Sequence, residues 1–78
     1  MARVDTVDGI ITFVQEDRFQ LARSDGRKEL FLLGHRARQS GTDLQRLAHE
    51  RLPVRVKYSK APGLIAETAE DVAIVDHG

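Results

Sequence analysis

RFQLARSDGRKELFLL, residues 18–33, consists of two apolar-rich runs on either side of Ser24-Asp25-Gly26-Arg27. An Asp-Gly pair supplies the positive φ that a tight hairpin turn needs. The flanking segments are therefore expected to be antiparallel neighbours. In Phe19-Gln20-Leu21-Ala22-Arg23 the apolar residues alternate, which places Phe19 and Leu21 on one face and Phe19 in the core. Lys28-Glu29-Leu30-Phe31-Leu32-Leu33 forms the returning strand, which Gly34 ends.

Working outward, Val7-Asp8-Gly9-Ile10-Ile11-Thr12-Phe13-Val14 is rich in β-branched and aromatic residues, with apolar groups on both parities. That pattern suits a strongly curved strand with Gly9 at a bulge or bend. Gln15-Glu16-Asp17-Arg18 reads as the turn into the second strand. After the hairpin, Gly34 to Gly41 reads as a loop carrying Arg36 and Arg38. Thr42-Asp43-Leu44-Gln45 has the form of a capping box, so a helix is expected from there. Leu44, Leu47, Ala48 and Leu52 make its apolar face, and Pro53 stops it. Val54, Val56 and Tyr58 then alternate with Arg55, Lys57 and Ser59 as a half-buried fourth strand, and Ala61-Pro62-Gly63 makes a turn. The last section, Leu64 to Thr68 and Val72 to Val75, is either one strand broken at Ala69-Glu70-Asp71 or two short ones.

At 78 residues the chain is expected to be one domain, 1–78, because two cores could not each bury enough apolar surface. A hydrophobic fraction of 41% beside 31% charged residues favours a folded over a disordered chain. Having no cysteine, the chain can form neither disulfides nor zinc-thiolate sites nor thiol nucleophiles. The opening MARVDTVDG carries no apolar leader core and no run approaches a membrane span, so a cytoplasmic location without membrane association is expected. Net charge is zero, but unevenly laid out. Residues 1–34 hold five Lys/Arg against six Asp/Glu, residues 35–60 seven against two, and residues 61–78 none against four. The cationic middle segment suits a nucleic-acid contact unless folding lays the acidic tail beside it.

Catalytic chemistry finds little foothold. The histidines at 35, 49 and 77 lack helical metal spacing, the serines lack a nucleophile elbow, and no glycine-rich phosphate loop follows a strand. Neither an enzyme nor a cofactor or metal site is expected.

Three antiparallel strands, a helix and two further strands correspond to a five-stranded OB barrel (β-β-β-α-β-β), with an SH3-like barrel as the alternative. The hairpin resembles that of bacterial cold-shock domains, in which a DG turn precedes a D-L-F-V-H-F-like third strand, here Glu29-Leu30-Phe31-Leu32-Leu33. In size and in the segment between strands three and four, the chain is similar to S1-type domains and bacterial translation initiation factor one. Aligned through the turn, the family's G-F-G-F stacking aromatics fall on Arg18 and Gln20. Phe13 falls near the exposed aromatic of the family's first strand, Phe31 on the outward phenylalanine of its third, and Leu33 where it has histidine. The resemblance implies that Leu21, Leu30 and Leu32 point inward, that Gln20, Phe31 and Leu33 point outward, and that Arg18 lies near the rim. It also implies single-stranded RNA or DNA binding by a monomer, with stacking on Phe13 and Phe31 beside Arg18 and Gln20. The loop residues Arg36 and Arg38 and the polar row of strand four, Arg55 and Lys57, are the expected phosphate contacts. The competing expectation is a protein-interaction module that uses Phe31, Leu33 and neighbouring apolar groups.

Overall fold

The computed structural model describes residues 3–60 and 67–75. In chain order the elements are β1 (Arg3–Gln15), β2 (Arg18–Arg23), β3 (Lys28–Leu33), α1 (His35–Gln39), α2 (Leu44–His49), β4 (Pro53–Lys60) and β5 (Glu67–Ile74). β1 is long because it serves two neighbours. It pairs antiparallel with β4 from Arg3↔Lys60 to Ile10↔Pro53, and with β2 from Gly9↔Arg23 to Gln15↔Arg18. Gly9 lies where the two ladders overlap. A Cβ there would stand 2.4 Å from the Ala22 carbonyl oxygen and 3.0 Å from Leu21 Cγ, so only glycine admits this approach.

The bulge of β1 falls three residues later, at Thr12: Ile11 faces Leu21 while Phe13 already faces Gln20. One extra residue reverses the pleat. Before it, Val7 and Ile11 point inward; beyond it, Val14 packs against the core and Phe13 is turned out. This explains why the apolar residues of β1 occur on both parities.

The β2–β3 hairpin departs from the expected facing. Gly26 has φ +89, as the Asp-Gly signal requires. The Gly26 amide donates to the Arg23 carbonyl (3.0 Å) and the Arg23 amide to the Arg27 carbonyl (2.8 Å), so the loop is the three residues Ser24-Asp25-Gly26. The Asp25 carboxylate accepts from the Arg27 amide at 2.9 Å. A loop centred on Asp25 pairs Phe19 with Phe31 and Leu21 with Glu29. Opposed residues in an antiparallel pair share a face, so Phe31 follows Phe19 inward and is 0% exposed. Leu30 and Leu32, expected inside, are turned out at 37% and 38% exposure, and Leu33 is half-buried against the core.

The Phe31 ring is the centre of an aromatic stack, 5.4 Å from Phe19 at an interplanar angle of 23° and 5.3 Å from Tyr58 at 62°. Such pairs add about 0.5–1.5 kcal/mol each beyond the area they bury. Val54 and Val56 of β4 and Ala69 of β5 complete the surrounding core.

β3 meets β5 in parallel from Phe31↔Glu67 to Leu33↔Ala69, and β5 meets β4 antiparallel from Val54↔Ile74 to Ser59↔Thr68. The mainly β sheet thus closes in the order β1-β2-β3-β5-β4. The interruption expected at Ala69-Glu70-Asp71 is an irregularity within the single strand β5. Lys57 faces Asp71 and Tyr58 faces Ala69, while the intervening Glu70 accepts a hydrogen bond from the Ser59 hydroxyl at 2.7 Å. Ala61-Pro62-Gly63 and the expected strand residues Leu64 to Ala66 lie outside the described residues.

Two short helices replace the one expected. The 34–41 segment is not loop throughout: α1 forms around buried Ala37, and the Gly34 amide ahead of it bonds the Ala69 carbonyl at 2.8 Å. α2 is capped by Asp43, whose carboxylate accepts from the Arg46 amide at 3.1 Å, one position later than the Thr42 box implied. The Thr42 hydroxyl instead faces Ser40 Oγ at 3.3 Å. Leu44 and Leu47 are buried and Ala48 and Leu52 pack against the core, as the periodicity of the segment implies. α2 stops before Pro53, which opens β4. Its end is a Schellman motif: the Leu52 amide bonds the Leu47 carbonyl and the Arg51 amide the Ala48 carbonyl, both at 3.2 Å. Arg51 takes φ +51, a conformation that costs a residue with a Cβ about 1 kcal/mol.

Candidate nucleic-acid interface

On the outward side of β1, β2 and β3 the ladders set side chains in three cross-strand rows: Gln15–Arg18–Leu32, Phe13–Gln20–Leu30 and Ile10–Ala22–Lys28. Alternate positions along a strand place adjacent rows roughly 7 Å apart. None of the nine residues is acidic. Phe13, 52% exposed, presents its ring because of the Thr12 bulge. The Thr12 hydroxyl lies 3.4 Å from both the backbone carbonyl and the side-chain oxygen of Gln20, the cross-strand partner of Phe13. Arg18 and Lys28 are exposed cations without an ion pair among the described residues. Ring, amide, two cations and the exposed Ile10, Leu30 and Leu32 thus share one surface.

Of the sequence-expected site, Phe13, Arg18 and Gln20 come together here. Phe31 does not: it stands on the opposite side of β3, sealed between Phe19 and Tyr58, where no base can reach it. Arg38, on α1 rather than in a loop, reaches the β1–β2 turn that precedes Arg18, its Nη1 3.6 Å from the Asp17 carboxylate. The Asp17 carbonyl also accepts from the Leu33 amide at 2.7 Å, which ties that turn to the end of β3.

The other cations sit elsewhere. Arg55 is clamped by its cross-strand partner Asp8, Nε to Oδ1 at 2.8 Å and Nη2 to Oδ2 at 3.0 Å, and that hydrogen-bonded carboxylate raises its pKa further. Lys57 stands opposite Asp71 and shares a groove with Arg36, Ser59 and Glu70. Folding therefore does lay acidic β5 beside basic β4, which blunts the charge excess read from residues 35–60.

Sequence reasoning passed over Lys28, Ile10, Leu30 and Leu32 as surface residues of this sheet. The signal that would have found Lys28, Leu30 and Leu32 is the three-residue length of the hairpin loop, which sets the parity of β3; Ile10 follows from the inward facing of its β1 neighbour Ile11.

Past the Ile10–Ala22–Lys28 row the surface drops into a groove of about 710 Å³. Gly9, Ile11 and Pro53 line it from the sheet, Arg23 and Ser24 from the hairpin, and Ala48 and Arg51 from the end of α2. Arg23 is held by Glu29 in an ion pair. Among the described residues no group of three or more His, Cys, Asp or Glu side chains is arranged to hold a metal, and no helix is long and apolar enough to cross a membrane. No family model, curated protein or solved structure matches this chain.

Proposed function

We propose that the protein binds single-stranded nucleic acid, preferably RNA, with modest affinity on the outward face of β1–β3. The closing order β1-β2-β3-β5-β4, with helices between the third and fourth strands, supports reading the closed sheet as an OB barrel, a fold whose strand 2–3 face binds oligonucleotides. The observation that carries the reading is the composition of that face: an exposed phenylalanine beside a glutamine amide, with Arg18 and Lys28 and no carboxylate in the three rows. Stacking on one ring contributes about 1–3 kcal/mol per base, and each phosphate neutralised adds a salt-dependent increment. The protein works here as a cytoplasmic monomer without cofactor or catalysis. The corrected contact set is Phe13, Arg18, Gln20 and Lys28, with Arg38 at the rim.

Fluorescence anisotropy with a labelled pyrimidine-rich RNA at low and moderate salt tests the reading. Saturable binding that weakens with salt, and that Phe13→Ala reduces at unchanged thermal stability, is the expected result. No binding at high micromolar protein and low salt would overturn it. A protein partner on the same face is the second reading, favoured by the exposed Ile10, Leu30 and Leu32; its mark would be salt-tolerant binding.

A further inference from the structure

Arg51 stands where the Schellman motif favours glycine, and it holds a positive φ while lining the groove beside α2. Backbone strain at a residue that lines a cavity points from conformation toward use. The other charges of the groove are engaged: Arg23 pairs with Glu29, and Asp8 receives both donors of Arg55. Arg51 has no carboxylate within ion-pair distance among the described residues. The groove is also continuous with the proposed binding face, because Ile10 and Ala22 belong to both.

Resting on the reading above, we infer that the groove between the β2–β3 loop and α2 takes the nucleotide next to the base stacked on Phe13, with Arg51 holding its phosphate. The apolar lining from Gly9, Ile11, Ala48 and Pro53 accepts a base or sugar, while Arg51, at the end of α2, supplies the cation that meets the backbone charge. The strand would then run from Arg18, across Phe13 and Gln20, and down past Ala22 toward Arg51.

The test measures oligouridylates of increasing length by anisotropy over a salt series, using the full chain and its Arg51→Gly, Arg51→Lys, Phe13→Ala and Arg18→Ala variants, with thermal melts alongside. Arg51→Gly is expected to melt no lower than the parent, because glycine suits the left-handed position. Its affinity should fall about three- to tenfold at low salt and its salt slope by about one, the share of a single phosphate contact. Arg51→Lys should recover most of the slope, and the Arg51 effect should vanish for oligomers too short to reach from Phe13 into the groove. Unchanged affinity and slope in Arg51→Gly, while Phe13→Ala and Arg18→Ala still weaken binding, would remove this inference and leave the binding face intact. Absence of binding by the parent chain, or indifference to Phe13→Ala, would remove both.

Discussion

Phe31 and Phe13 show how little residue type says about role in so small a sheet. Phe31 touches an aromatic neighbour on each side, so Phe31→Ala should cost about 3–5 kcal/mol. Chemical denaturation would register that loss whether or not nucleic acid is present, and a fall in binding by this variant would reflect unfolding. Tyr58, the single tyrosine, has a pKa raised above its ordinary value of 10.0, by burial first and then by the charges of Glu67, Glu29 and Asp5. The fold thus favours the neutral phenol. Its contribution is intact below pH 10.0 and is lost as pH climbs through the raised value. Denaturation midpoints followed across alkaline pH should fall together with the appearance of tyrosinate absorbance, and Tyr58→Phe should flatten that limb.

At the level of elements, local signals located most strands and missed the phase between two of them. The alternation of β2 and β4, the turn at Asp25-Gly26 and the apolar face of α2 are all visible in the letters, because each depends on neighbours within a few residues. The facing of β3 depends on whether the loop has two residues or three. A two-residue Asp25-Gly26 loop would pair Leu21 with Leu30 and Phe19 with Leu32, the arrangement the cold-shock resemblance implied; hydrogen bonding selects three. The Thr12 bulge is likewise a matter of cross-strand register and has no local marker, so Phe13 was placed on the surface by resemblance, without its cause. The second helix was missed because α1 is a single turn organised around Ala37. At the hairpin, Gly26 has open space around its Cα, so Gly26→Ala should cost about 1–2 kcal/mol from conformation alone. A urea midpoint lowered by that amount, and largely restored by Asn at the same position, is the expected result.

Across the whole molecule, a neutral chain separates its charges by face. β4 sets its cations against carboxylates on both neighbours, Arg55 with Asp8 of β1 and Lys57 facing Asp71 of β5, whereas the three rows of the β1–β3 face hold Arg18 and Lys28 and no carboxylate. The double variant Arg18→Ala/Lys28→Ala should lower the salt dependence of RNA binding by about two charges. Arg55→Ala/Lys57→Ala should leave that slope unchanged, and equal slopes for the two double variants would show that the partition has no bearing on binding. The basic middle segment stands out as a charge excess in the letters, but β4 meets acidic partners on both neighbouring strands, since chain position does not reveal which strands pleating and closure set side by side.

The odd-numbered loop between Arg23 and Arg27 has a consequence for descent. One residue gained or lost there would exchange lining and coat along all of β3, bringing Phe31 to the surface and withdrawing its two leucine neighbours, with every other strand unchanged. Kinship between this chain and other small closed β sheets is therefore to be judged by matching inside to inside across the turn, because an alignment that only counts letters through it compares opposite sides of the sheet.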